Sequence, residues 1–257
     1  MGTITLKTGR FARMAIAGLI IAVSGLSGAG CSHSPPPYCL ERPLAMPGMR
    51  RQTWAVAPVL NLSGEKSVDP ILQADLLFQQ LQQVQGLTVI PVNRTAEAMA
   101  ALKWEKVQSE QEASTLCGLL GCDGLIVATV TAYDPYNPPK LGAALQLFRR
   151  QESAARPAAV MSPREMARQA SLPRPTTMAS GGNLVQVVGM YDAQNGSVRA
   201  AVLRYAQGRN DPQGPYAANE YLVSMDRYTG FVYHVLIADL LNSPRLWRAA
   251  TPSESVR

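Results

Sequence analysis

Few side chains in this sequence are suited to covalent or acid–base chemistry. Cysteines stand at 31, 39, 117 and 122, and histidines only at 33 and 234. Cys117 and Cys122 flank Gly118-Leu119-Leu120-Gly121, which reads as a helix end. A turn there brings the two thiols within disulfide reach, and an exporting compartment permits the bond. Two buried thiols are the alternative reading, and a zinc site would need ligands that the remote histidines do not supply. Cys39 is left unpaired or free to cross-link to another molecule. A serine or cysteine triad needs a histidine base. His33 lies in a proline-rich stretch, and His234 lies beside Tyr233 and Val235 in an apolar helix, which reads as a packed residue. No G-x-S-x-G elbow, phosphate-cradling G-x-x-x-x-G-K-[ST] or H-E-x-x-H occurs. The chain therefore reads as no enzyme, with no catalytic residues, no metal and no cofactor. Paired carboxylates distant in sequence are the remaining enzymatic alternative, that of a cell-envelope hydrolase.

Cys31 carries a different chemistry. Residues 1–13 are basic and free of acids, and Met14–Ala29 run apolar and small. That stretch is short and glycine-rich for a span of roughly 20 apolar residues, and it has the shape of a secretory signal. Gly28-Ala29-Gly30-Cys31 resembles the bacterial lipoprotein box, in which the cysteine becomes the lipidated N-terminus. The family usually has leucine three residues before the cysteine, where this chain has Gly28. The resemblance implies lipidation at Cys31, and Ser32, in place of an aspartate, points to the outer membrane, with the protein lipid-anchored on its periplasmic face. Plain secretion and a retained anchor are the alternatives. Residues 31–50 then form a tether, since Pro35-Pro36-Pro37 favours an extended backbone.

The elements that would position any site begin near residue 51. Thr53–Leu60 reads as a strand that runs into a turn at Asn61–Ser67. Asp69 caps a helix with Pro70 at its first position. Its apolar face is Ile71, Ala74, Leu77, Phe78 and Leu81, and Gln79, Gln80, Gln82 and Gln83 decorate the rest. Leu87–Val92 is a second strand, after which Asn93 caps a helix through Leu102. Glu110–Leu120 is another helix, closed by Gly121. Leu125–Tyr133 is β-branched and nearly continuous, a strand buried on both faces. Lys140–Phe148 is its hairpin partner across the turn Asp134–Pro139. Leu184–Asp192 is a strand. Val198, Ala201, Val202 and Tyr205 have helical spacing, and Tyr216–Leu241 reads as one long amphipathic helix. Strands alternating with helices give an α/β (α+β) fold, a single mixed-sheet domain with flanking helices. The organisation is a signal over 1–30, a tether over 31–50, the domain over 51–242 and a tail over 243–257.

Charge narrows the partners. The formal net charge is +6, but Lys7, Arg10 and Arg13 lie in the signal. What remains is too little to argue nucleic-acid binding. Residues 149–182 are rich in arginine and proline and read as a basic mobile insertion, either solvated or a contact for an anionic partner. Tyr133, Tyr136 and Pro138 crowd one turn and form the candidate partner surface; simple turn structure is the alternative.

Trp54–Pro91, WAVAPVLNLSGEKSVDPILQADLLFQQLQQVQGLTVIP, resembles the opening of the TolB N-terminal, CsgG-like and LpoB-like envelope domains. There a strand ends in an N-S-G turn, followed by a helix and an apolar strand. Gly121–Tyr136, GCDGLIVATVTAYDPY, is similar to their third element. The resemblance implies an envelope location and contact with an envelope protein partner, with no shared active site. It also raises the alternative of an oligomeric secretion or pore component of the CsgG type. Against that, residues 149–182 lack the alternating ten-residue pattern of a barrel strand.

Overall fold

The computed structural model describes residues 43–46, 51–150, 176–180, 184–244 and 246. Cys31, Cys39, the signal, most of the tether, insertion residues 151–175 and 181–182, residue 183, and tail residues 245 and 247–257 lie outside the described residues.

The strand expected over Thr53–Leu60 is split by Pro58, which has no N–H for a ladder. β1 (Gln52–Val56) and β2 (Leu60–Asn61) both pair in parallel with β4 (Gly124–Asp134). The Ala57 N–H donates to Ile126 O at 2.9 Å and the Leu62 N–H to Val130 O at 2.8 Å, which carries the line past the proline. α1 (Pro70–Leu81) starts as the sequence predicts, with Asp69 Oδ1 accepting from the amides of Ile71 and Leu72 at 2.8 and 3.2 Å. Then follow β3 (Leu87–Ile90), α2 (Val92–Ala101) and α3 (Glu110–Leu120). After β4 come β5 (Lys140–Arg149), β6 (Thr176–Ser180) and β7 (Leu184–Asp192). The C-terminal part is α4 (Gly196–Ala206), a 3₁₀ turn (Ala217–Asn219), α5 (Glu220–Val223) and α6 (Met225–Leu241).

Across the sheet the order is β3-β1-β4-β5-β7-β6, with β2 continuing the line of β1 against β4. β3, β1 and β4 are mutually parallel, and β5, β7 and β6 add antiparallel. This is the mixed-sheet α+β domain read from the sequence. Helices cover two faces. α1, α4, α5 and α6 lie over a large core built on Trp54, Ile126, Leu145 and Val187. α2 and α3 lie over a smaller one built on Ala55, Leu125, Val127 and Phe148. Alternate residues of β4 therefore feed different cores, which explains its unbroken apolar run.

Several sequence readings shift. Ile71 is 44% exposed, whereas Gln73 and Gln80 are buried with Ala74, Leu77 and Leu81. Polarity hid those two glutamines, and each has a tyrosine partner. Tyr233 Oη donates to Gln73 Oε1 at 3.2 Å and Tyr205 Oη donates to Gln80 Oε1 at 2.9 Å. Such pairs tie α1 to the C-terminal helices across a low-dielectric core. Tyr205→Phe would leave the buried Gln80 carbonyl oxygen without its donor, at about 1–3 kcal/mol. Denaturant melts of the single variant against a Tyr205→Phe/Gln80→Leu double variant check this, and the double variant is expected to recover part of the loss.

Asn93 is inside α2, and Pro91 occupies the cap position with no side-chain bond. The long helix expected over Tyr216–Leu241 breaks at Ser224, whose Oγ caps α6 at the Arg227 amide. α6 is buried almost all round, a central core helix. β5 reaches Arg149, and β6 lies inside the range read as an insertion. Leu44 and Met46, at the end of the range read as tether, are buried in the larger core, as is Leu246 from the range read as tail.

Candidate partner surface

The β4–β5 connection is held from both sides. Asp134 Oδ1 accepts from the Tyr136 amide at 3.1 Å, and the Ala193 N–H donates to Pro139 O at 3.0 Å. Lys140 pairs with Asp192 across β5 and β7 at 3.5 Å. At the tip, Tyr136 is 81% exposed. Pro138 is half-buried beside it and follows a cis peptide bond.

Tyr133 points elsewhere than strict alternation predicts. The β4–β5 register shifts between Val130 and Ala132, a bulge. Before it, odd-numbered residues such as Leu125 and Val127 face the smaller core; after it, Tyr133 packs against the larger one. A bulge re-aims every side chain beyond it. Burial raises the Tyr133 phenol above its usual range, and Asp226 and Glu65 add to the shift. The three residues thus occupy one turn in distinct roles. Tyr133 is a half-buried root, Pro138 a shoulder and Tyr136 an exposed tip.

The remaining chemistry-bearing residues do not converge on this turn. Cys117 and Cys122 meet at the end of α3, where Gly121 takes φ 66° and the Cys122 N–H donates to Cys117 O at 3.0 Å. Both are buried, free thiols joined by a thiol–thiol hydrogen bond, which together with burial pushes Cys117 up. Among the described residues, no three His, Cys, Asp or Glu side chains gather into a metal site, and no helix is long and apolar enough to cross a membrane.

His234 is buried, its ring 4.9 Å from that of Tyr205, and neither ring nitrogen has a partner among the described residues. Burial, with Arg209 adding, pulls its pKa down to about 4 from 6.5. The unfolded chain thus takes up a proton that the folded one refuses, so stability falls as pH drops from 6.5 towards 4. Asp239 runs the other way, since burial pushes it up to about 7 from 3.8. There the folded chain holds a proton that the unfolded one releases, and stability falls as pH rises from 3.8 towards 7. The two slopes, each about 1.4 kcal/mol per pH unit, oppose one another through most of this range. Asp239→Asn is expected to uncover the histidine slope, with stability lost on acidification. His234→Gln is expected to uncover the opposite slope. Denaturant melts at pH 5 and pH 6.5 read both, and flat profiles in the two variants would contradict these environments.

A feature that sequence reasoning missed is the aromatic and cationic cluster behind α1. The Arg209 guanidinium lies 4.2 Å from the Tyr205 ring centre, and that of Arg227 lies 5.6 Å from Tyr221. Arg227 also pairs with Glu220 at 3.3 Å. These residues come from three helices and the turn after α4, and although Tyr205 and Arg209 are four apart, their meeting with Tyr221 and Arg227 depends on how the helices pack.

No family model matches the chain, and no curated protein matches it. Several solved structures are similar. The LpoB C-terminal domain from Salmonella enterica is 13% identical at a TM-score of 0.33, covering 40% of this chain and 76% of that one. A lipoprotein from Neisseria meningitidis is 19% identical at 0.28, covering 38% and 69%. The PelC dodecamer from Paraburkholderia phytofirmans is 9% identical at 0.32, covering 80% and 94%.

Proposed function

We propose that this chain is a non-enzymatic lipoprotein, anchored through Cys31 at the periplasmic face of the outer membrane, whose α/β domain binds an envelope protein through the β4–β5 turn. The observation that carries the reading is Tyr136. It is a large aromatic side chain, 81% exposed, on a turn pinned by Asp134 and by the Lys140–Asp192 pair. Exposed aromatics on rigid supports make good anchors because little side-chain entropy is lost when a partner covers them. The signal-like N-terminus and Cys31 support the anchoring.

A photo-crosslinking residue at position 136 in intact cells is expected to give one discrete adduct. The same group at Ala200, on the exposed side of α4, is expected to give none. With that adduct identified, Tyr136→Ala should weaken the purified pair about thirtyfold, the loss typical of an aromatic hot spot. Unchanged affinity would remove the turn from the interface. The Cys117–Cys122 pair belongs to the same reading. On export, the two thiols and one external disulfide exchange to an internal disulfide and two external thiols. Mass after alkylation under unfolding, non-reducing conditions tests this; two alkylated thiols at 117 and 122 would contradict it.

A further inference from the structure

β3 is the outer strand on its side of the sheet. Its neighbour on the free side, among the described residues, is the short segment 44–46. There the Met46 N–H donates to Gln85 O and the Gln85 N–H to Leu44 O, both at 2.8 Å, with Ala45 alongside Gln85 in parallel. The chain itself therefore uses this edge as a strand acceptor, but only at its beginning. The Gln52 N–H donates to Gly86 O at 3.1 Å, in the register Gln52↔Leu87 and Trp54↔Val89. Parallel pairing alternates, so Thr88 and Ile90 turn their backbone groups to β1 while Leu87 and Val89 turn theirs outward. The Leu87 N–H closes onto Val84 O at 3.3 Å. Among the described residues, the Val89 N–H and the carbonyls of Leu87 and Val89 have no partner.

Just past the end of this edge, where Ile90 runs into Pro91 and Val92, α1 and α2 enclose a groove of about 550 Å³ that no residue of β3 itself lines. Ile71, Phe78 and Val92 give it apolar walls. Asp75 and Glu97 line it, and no lysine or arginine does; Arg94, one residue from the lining in sequence, is not part of it. An added helix would leave the outward backbone groups of Val89 unmet, whereas an extended chain satisfies them and, continued past Ile90, carries its next side chains into the groove. We propose that the β3 edge and the α1–α2 groove accept an extended, cationic segment of a partner protein as an added strand, with aliphatic side chains against Ile71 and Phe78 and Lys or Arg at Asp75 and Glu97. This rests on the partner-binding reading and adds a second surface to it. The chain's formal net charge is +6, so attraction of a cationic segment is local to these two carboxylates.

The test uses the full chain in detergent with a labelled synthetic peptide of alternating valine and lysine, and its counterpart of alternating valine and glutamate. The lysine peptide is expected to bind saturably by fluorescence anisotropy and to slow hydrogen exchange at Val89 about tenfold or more. A double variant, Asp75→Lys with Glu97→Lys, should weaken binding about tenfold. Val89→Pro, tolerated at a sheet edge, removes the outward N–H that an added strand would pair with and should weaken peptide binding by anisotropy about tenfold. Unchanged exchange at Val89, equal binding of the glutamate peptide, or unaltered affinity in the charge-reversed double variant would overturn the proposal. Crosslinking from position 136 separates the two readings. An adduct there alongside failure of the peptide arms leaves the turn surface standing and removes the edge, and loss of both removes partner binding itself.

Discussion

Cys31→Ala protein is expected in the soluble fraction of the envelope, while the parent chain sediments with membranes. Three local features lead to this expectation: a basic, acid-free stretch to Arg13, an apolar run too short for a comfortable span, and small residues directly before a cysteine. A thiol is the one side chain at that position able to carry the lipid as a thioether, and alanine removes it. One acyl chain gives marginal membrane binding, whereas several hold a protein firmly, so the expected effect is all-or-none. Intact mass of the membrane-extracted parent should begin at Cys31 and include lipid. An unlipidated mass, or a variant that sediments like the parent, would contradict the anchor and leave the domain without its tether.

The second large effect lies at the centre of the larger core. Phe231→Ala is expected to lower stability by about 3–5 kcal/mol. Its ring is fully buried, with centres 6.1 Å from Tyr191, 5.7 Å from Tyr205 and 6.0 Å from Tyr228. α6 is buried on nearly every side, so the cavity has few mobile neighbours to collapse into it. Against a total stability of roughly 5–15 kcal/mol, such a loss leaves the domain marginal. Thermal melts should shift by on the order of 10 °C. Ile71→Ala, at an exposed position on α1, serves as the control and should move the melt by no more than about 0.5 kcal/mol. A loss below about 1 kcal/mol in Phe231→Ala would mean that α6 is not the keystone of this core.

The elements with strong local signals were legible in the sequence. Asp69-Pro70 marked the start of α1, Gly121 the end of α3, and Leu125–Tyr133 the central strand, because caps and unbroken β-branched runs act within a few residues. What escaped depends on distant partners. Gln73 and Gln80 look like surface residues until Tyr233 and Tyr205 arrive from the far end of the chain. α6 looks amphipathic until α1, α5 and the sheet enclose it. The conformation of the β4–β5 turn was half legible. The crowding of Tyr133, Tyr136 and Pro138 is local, whereas the bulge between Val130 and Ala132 that rotates Tyr133 towards α6 is set by pairing with Gly142 and Ala143. The β3 edge was invisible for the same reason, since strand order is a property of the assembled sheet.

The most direct test of partner binding through the β4–β5 turn is crosslinking from position 136 in intact cells carrying either the parent chain or Cys31→Ala. A single adduct with one envelope protein is expected in the parent, and its marked reduction when the anchor is removed, because tethering holds the two surfaces at high effective concentration. No discrete adduct from position 136, alongside normal membrane anchoring, would contradict the claim that this turn is where the domain meets its partner.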